Sequence, residues 1–185
     1  LKDIKQKILE DPILLRLANL SKEQNVSLFL VGGFLRDLLL GTPTKDYDFA
    51  LPREDASFIS SMEESLCLRF FKVGKEERET LTYRLVHQDM SIDLTFIQGE
   101  SIDLDLLRRD FTINTIAFSL RDETFHQVEG AWEDMRRKVI RSVSKYAIDQ
   151  DPLRMLRAIR YLCTLDGFVL DPELMQEISE KRALA

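Results

Sequence analysis

The chain has 185 residues, with 26 Lys and Arg against 32 Asp and Glu, and its formal charge of −6 excludes a simple basic protein that coats nucleic acid. Its 44% hydrophobic and 31% charged residues exclude disordered and collagen-like classes, and the length suits one domain or one and a fraction. The most apolar stretch, 28–40, is interrupted by Gly32, Gly33, Arg36 and Asp37 and falls short of the roughly 20 apolar residues that span a bilayer.

In chain order, Pro12 after Asp11 predicts a helix start, and Ile13, Leu14, Leu17, Ala18 and Leu20 give that helix one apolar face. Residues 27–31 read as a buried strand broken by Gly32 and Gly33. A helix over 34–40 follows, closed by Gly41 with Pro43 beyond it. Residues 46–51 alternate acidic and apolar side chains, the period of a half-buried strand. A helix over 52–66 comes next, then strands over 68–73, 80–87 and 90–97, the last two joined by a Gln88-Asp89 turn. Ser101 caps a helix through Leu107. A short strand is expected beyond Asn114, then a helix near Glu133 and a strand over 139–143. Helices over 151–165, ended by Gly167, and from Pro172 onward close the chain. The expectation is an α+β domain over residues 1–145, a mixed sheet with helices, followed by an all-α segment over 146–185. The Leu1 start, and an end at Ala185 inside a helical pattern, read as a portion of a longer protein. Cys67 and Cys163 show no C-x-x-C spacing and have few histidines nearby. Neither a disulfide framework nor a zinc site is expected, and a reduced, cytoplasmic setting is.

The first constellation with chemical meaning is Gly32-Gly33, a helix, then Asp46-Tyr47-Asp48. On a strand, positions 46 and 48 share a face while Tyr47 and Phe49 point to the other, so two carboxylates stand side by side. Hard oxygen ligands of this kind suit Mg²⁺, which takes one or two carboxylates plus substrate phosphates. The glycines let backbone approach phosphates closely, and the helix they open offers N–H groups and a positive dipole end to an anion. Taken singly, each half reads as a tight turn or a solvated strand face. Together they are the parts for phosphoryl transfer.

At this spacing the chain resembles the class II tRNA nucleotidyltransferase and bacterial poly(A) polymerase family, through residues 30–41 (LVGGFLRDLLLG) followed by Asp46-Tyr47-Asp48-Phe49. Residues 108–114 (RRDFTIN) look like that family's motif for the ribose and triphosphate of the incoming nucleotide, which points to Arg109, Asp110 and Asn114. Residues 130–141 are similar to its linking motif. Residues 151–160 (DPLRMLRAIR) look like its base-selecting helix, with Asp151, Arg154, Arg157 and Arg160 as the candidate residues. Two departures stand out: Gln150 where the family usually has Glu, and Val128-Glu129 where it usually has Asp-Pro.

The resemblance implies a polymerase-β-like nucleotidyltransferase head followed by the start of a helical neck. It implies addition of C, A or both from CTP or ATP to a tRNA 3′ end, by displacement at the α-phosphate between two Mg²⁺ ions. Poly(A) polymerase is the alternative activity, and a nucleotide-binding module that has lost catalysis is the alternative of another class. Asp93 faces opposite to Ile92, Leu94 and Phe96 and can either complete a metal-binding triad or sit on a solvated strand face. Arg36 is read as reaching the triphosphate, with an ion pair to Asp37 as its other role.

Charge is uneven along the sequence. The window 135–160 holds eight Lys and Arg and two acids, so it carries +6 and the remainder −12. That asymmetry points to a polyanionic partner. Within the window, Asp151, Arg154, Arg157 and Arg160 step round a helix by 60° each, a fan of polar side chains. Leu153, Leu156, Ile159 and Leu162 are expected to seat the other half on apolar surface. Arg offers only donors and ionised Asp only acceptors. Cytosine and adenine both set an amine donor beside a ring-nitrogen acceptor, so an Asp151/Arg154 pair can accept C or A and reject U or G, which would leave polar groups unpaired.

Overall fold

A computed structural model describes residues 2–74 and 81–181. The expected strand start at Thr80 and the last four residues of the expected C-terminal helix lie outside the described residues. The described chain forms two compact units, one made of residues up to Ile102 with Ala117–His126, the other of Asp103–Ile116 with residues from Gln127 onward. The expected boundary at residue 145 falls inside the second unit.

The first unit is built on a seven-stranded mixed sheet whose order is β3-β4-β5-β2-β1-β6-β7. Its strands are β1 (Phe29–Val31), β2 (Asp46–Leu51), β3 (Phe71–Val73), β4 (Thr82–His87), β5 (Met90–Phe96), β6 (Ile116–Ser119) and β7 (Thr124–Gln127). β2 and β5 run parallel, whereas β1 pairs antiparallel with both β2 and β6, and β4 pairs antiparallel with β3 and β5. The chain enters through two helices, α1 (Lys2–Glu10) and α2 (Pro12–Glu23). The pattern reading had not found α1. Asp11 caps α2, its Oδ1 accepting the Ile13 and Leu14 N–H groups at 2.9 and 3.0 Å, with Pro12 at the first helical position. Helix α3 (Gly33–Leu40) ends on Gly41 in the left-handed conformation, φ +71°. Helix α4 (Ala56–Leu66) starts later than expected because Asp55 is its cap and accepts the Phe58 N–H.

The core of this unit lies where β1, β2 and β5 pack under α2 and α4. Leu14, Leu17, Leu30, Phe49, Leu51, Phe58, Met62 and Leu94 are all fully buried there. Burying side chains of this size contributes about 1.5–3 kcal/mol each. Tyr47 joins that core in an aromatic stack between Phe34 and Phe49, and its hydroxyl donates to Asp11 Oδ2 at 2.9 Å. Strand β2 is thereby tied to the cap of α2.

The second unit holds most of α5 (Ile102–Leu107), a single 3-10 turn over Thr112–Asn114, and helices α6 (Ala131–Arg137), α7 (Ala147–Gln150), α8 (Leu153–Thr164) and α9 (Pro172–Lys181). Two short parallel strands, β8 (Val139–Ile140) and β9 (Val169–Leu170), pair beside them. Among the described residues after 146, the regular elements are helices and the short strand β9. The strand expected over 139–143 stops at Ile140, and Ser142 makes an isolated bridge to Phe111 instead.

One expectation about α8 is corrected. Leu153, Leu156, Ile159 and Leu162 do not seat the helix; they are 62, 53, 46 and 38% exposed, while Met155, Ala158 and Tyr161 are buried. Rows at i, i+3 and i+6 drift by 60° per step, so both rows were available as a face. The helix is seated by Met155, Ala158 and Tyr161, while Arg157, 46% exposed, reaches from the edge of that face to the buried carboxylate of Asp110, whose isolation from water would be costly without a cation.

Candidate active site

The chemistry of the first unit is concentrated where β1 gives way to α3, beside β2 and β5. Parallel pairing sets Asp46 opposite Ser91 and Asp48 opposite Asp93, which brings Asp48 and Asp93 to the same face on neighbouring strands. Asp46 Oδ1 accepts the Ser91 hydroxyl at 2.6 Å. Asp48 Oδ2 accepts the Gly33 N–H at 3.0 Å. The glycine turn therefore serves the carboxylate directly. At Gly32, φ is +68° and a Cβ would stand 3.0 Å from Asp48 Oδ2; at Gly33 the distance would be 3.4 Å. The N–H that the sequence reading offered to a phosphate is bonded to Asp48.

Asp93 has a partner that the sequence reading did not name. Arg84, opposite it on β4, donates Nε to Oδ1 at 2.7 Å and Nη2 to Oδ2 at 2.5 Å, a two-pronged pair. These bonds, with Asp48 nearby, raise the Arg84 guanidinium further above its already high range. Arg36 pairs with Asp37 at 2.9 Å, the second of its two expected roles. Its Nη2 also lies 3.4 Å from where a Gly33 Cβ would stand.

In the second unit, Asp110 is buried, and its Oδ1 accepts its neighbour Phe111 N–H at 2.8 Å and Asn114 Nδ2 at 2.9 Å. Its Oδ2 sits 2.8 Å from Arg157 Nη2, an ion-pair contact without the angle of a hydrogen bond. Burial works against the Arg157 charge, but Asp110, Tyr161 and Asp151 together outweigh it and hold the guanidinium above its ordinary range. Asn114 Nδ2 also reaches the Tyr161 hydroxyl at 3.1 Å, and the Tyr161 ring meets Phe111 edge-on. Arg109 donates to Asp105 Oδ2 at 3.0 Å and reaches the Asn114 carbonyl at 3.5 Å, whereas Arg108 is exposed.

Arg154 is held in place by backbone. Its guanidinium donates to the carbonyls of Arg108 at 2.8 Å, Ala147 at 3.2 Å and Arg109 at 3.3 Å, and its Nε stands 4.0 Å from Asp151 Oδ2. Asp151 Oδ1 accepts the Leu153 N–H and so helps to start α8. Arg160 lies with its guanidinium 5.3 Å from the Tyr161 ring centre.

Residues 28–141 match the family described as the poly(A) polymerase head domain, well over half of the chain. This chain belongs to the poly(A) polymerase head-domain family. Among relatives, it is 34% identical over 180 residues to a CCA-adding enzyme of Bacillus pumilus, covering 88% of this chain and 42% of that one. It is also 34% identical over 172 residues to poly(A) polymerase I of Escherichia coli, covering 81% and 36%. A solved structure of the Thermotoga maritima CCA-adding enzyme complexed with tRNA superposes with a TM-score of 0.77 at 29% identity, covering 97% of this chain and 44% of that one. The chain thus spans less than half the length of these relatives. The polymerase-β-like head and mixed sheet expected from the sequence are those of this family.

The family match contains Gly32, Gly33, Arg36, Asp46, Asp48, Asp93, Arg109, Asp110 and Asn114, and it ends before Asp151. The structure gathers the first six in the first unit, and gathers Arg109, Asp110, Asn114, Asp151, Arg154 and Arg157 in the second. The donor set in the first unit fits a hard divalent cation: carboxylate oxygens on one strand face, with a glycine at the closest approach to Asp48. Among the described residues no group of three or more His, Cys, Asp or Glu is arranged to hold a metal ion. No described helix is long and apolar enough to cross a membrane. Cys67 and Cys163 are free thiols, both exposed.

Sequence reasoning missed Arg84, yet a signal was present. The Gln88-Asp89 turn pairs His87 with Met90, and counting back along both strands sets Arg84 opposite Asp93. It also missed Arg141, which binds the buried Asp134 at 3.1 Å and the buried Asp171 at 2.7 Å. No local pattern marks that bond, because its partners lie on separate elements.

Proposed function

We propose that this chain is the catalytic head and the start of the neck of a template-independent nucleotidyltransferase, with residues 1–145 as the head and 146–185 as the beginning of the neck. It adds C, A or both from CTP or ATP to the 3′ end of tRNA and releases pyrophosphate. The observation that carries the reading is the row of Asp46, Asp48 and Asp93 on β2 and β5 beneath the Gly32-Gly33 turn. The Thermotoga relative bound to tRNA supports the substrate class. The free, exposed thiols suit a cytoplasmic enzyme.

In this reading Asp46 and Asp48 hold magnesium, and Ser91 and the Gly33 N–H orient their carboxylates. Magnesium bound there supplies Lewis-acid activation of the attacking hydroxyl and neutralises charge on the leaving pyrophosphate. Little proton transfer is asked of side chains, since His87 and His126 lie outside every motif. Arg109 and Arg36 meet the triphosphate by exchanging part of their present carboxylate contacts for phosphate oxygens. Asp110 and Asn114 fix the loop that carries Arg109 and take the ribose. Asp151 and Arg154 read the base edge. Three of the five Arg154 N–H donors go to backbone carbonyls, which sets its orientation, and its Nε is turned towards Asp151. Arg157 supports the pair from Asp110, and Arg160 lies beside it on Tyr161.

A second reading, poly(A) polymerase, is favoured by the equal identity to the Escherichia coli enzyme. One experiment separates them: the full-length protein is incubated with tRNAs ending before CCA, after C and after CC, with labelled CTP and ATP supplied separately. Growth of the CTP-dependent ends identifies a tRNA nucleotidyltransferase. A poly(A) polymerase ignores CTP and extends any RNA end with A. Asp46→Ala and Asp48→Ala abolish incorporation with the fold intact, and turnover surviving in either variant sinks the mechanism. ATP binding with Mg²⁺ but no pyrophosphate from any RNA end supports the catalytically inactive module instead.

A further inference from the structure

Three charged side chains stand in one row across the sheet. Asp48 on β2 is directly opposite Asp93 on β5, and Asp93 is directly opposite Arg84 on β4. Side chains at opposed positions share a face and are neighbours. Each oxygen of Asp93 accepts one N–H from Arg84, at 2.7 and 2.5 Å. The hydroxyl of Ser91, which donates to Asp46, brings no charge to the row.

We propose that Arg84 is an internal counter-cation of this carboxylate row and tunes how tightly the row holds a divalent ion. The inference rests on the reading that Asp46 and Asp48 hold such an ion. Arg84 brings one positive charge to the row through Asp93. Asp93 is then a supporting anion engaged by a guanidinium, and the ion is held by Asp46 and Asp48. Both groups of the pair are only partly exposed, 45% for Arg84 and 24% for Asp93, so bulk solvent screens them incompletely. A strongly held ion would also resist release with the pyrophosphate product, so a counter-cation at this position favours turnover by keeping ion affinity moderate. Arg84 is a positioning residue in this scheme and touches no reacting atom.

The test uses Mn²⁺ as the probe, with free Mn²⁺ read by electron paramagnetic resonance in the full-length protein without nucleotide or RNA. Arg84→Gln is expected to tighten Mn²⁺ binding on the order of tenfold, as one added unit of negative charge near a divalent ion implies. Arg84→Lys, which keeps the charge, stays close to wild type. Asp93→Asn, which leaves Arg84 uncompensated, weakens binding by a similar factor. The double variant Arg84→Gln/Asp93→Asn restores the net charge and returns to the wild-type affinity.

A purely structural ion pair would not produce tightening in one single variant, weakening in the other and cancellation in the double. If Arg84→Gln fails to fold, Arg84→Met, which also removes the charge, is measured in its place with the same tightening expected. Unchanged or weaker Mn²⁺ binding in a folded Arg84→Gln overturns the proposal while leaving the cation site standing. Absence of Mn²⁺ binding in the wild type overturns the cation-site reading, and the proposal with it.

Discussion

Replacing Gly32 by Ala tests whether the glycine pair is there for the backbone and the carboxylate or for an incoming phosphate. Gly32 has φ +68° and ψ −136°, a conformation that L side chains rarely adopt, and an Ala held there costs about 1–3 kcal/mol. Its Cβ would also stand 3.0 Å from Asp48 Oδ2, so the carboxylate must give way and its bond from the Gly33 N–H must lengthen. Loss of part of that bond adds about 1 kcal/mol. For a chain of this size each kcal/mol moves the melting temperature by about 2–4 °C, which puts the expected drop at roughly 5–15 °C. Gly33 is the control. Its φ is not positive, its Cβ would make ordinary contacts at 3.4 Å, and Ala is the better residue in a first helical turn. Gly33→Ala should therefore melt at or slightly above the wild-type temperature. The assay is a thermal melt followed by circular dichroism, with labelled CTP and ATP incorporation on the same samples. A Gly32→Ala protein that melts within a degree of wild type, or a Gly33→Ala protein that is the less stable of the two, refutes the reasoning.

Arg141→Ala strips a cation from two buried carboxylates, Asp134 and Asp171, and should cost about 3 kcal/mol in urea unfolding, with Arg141→Lys recovering part of it. Tyr47→Phe removes only the hydroxyl bonded to Asp11 and should cost about 1 kcal/mol, read in the same unfolding curves. Burial alone would raise the Glu63 carboxyl, but the Phe70 N–H and Arg69 hold it below the ordinary carboxylate range. A carboxyl lowered on folding stabilises above its unfolded value and loses that contribution as pH falls through the folded one. Glu63→Gln should thus cost about 1 kcal/mol at pH 7, and the gap to wild type should close as the pH falls below about 4.5. A gap that stays constant between pH 7 and pH 3 contradicts the assignment.

Local signals carried far in this chain. Asp11-Pro12 marked α2, Gly41 and Pro43 marked the end of α3, and the alternation over 46–51 marked β2 with Asp46 and Asp48 on one face. Each of these is set by neighbours in sequence. Helix α1 escaped because its nine residues hold few apolar side chains, and a single buried one, Ile8, anchors it. Strand β9 has only two residues and exists through pairing with β8, which no local pattern encodes. The register of β2 against β5 is of the same kind. These strands are parallel and separated by some forty residues, so the opposition of Asp48 and Asp93 follows from tertiary packing. The opposition of Arg84 and Asp93 follows from a two-residue turn and was within reach of counting.

The basic window shows why charge along a sequence is an incomplete guide to charge at a site. Eight cations against two acids over 135–160 suggested a surface open to a polyanion. In the folded second unit, Arg157 faces Asp110, Arg141 faces Asp134 and Asp171, Arg136 faces Glu133, and Arg154 is bonded to three carbonyls. Asp110, Glu133, Asp134 and Asp171 all come from outside the window, so three of its eight cations, Arg136, Arg141 and Arg157, are answered by acids the window count leaves out. The folded arrangement favours specificity over bulk attraction. An arginine already fixed by a carboxylate or a carbonyl loses little rotamer freedom when a ligand arrives, and it can offer only the donors left to it. That is the behaviour required of groups that must tell one base edge from another, and it suits an acidic chain that meets its polyanion at a few set positions.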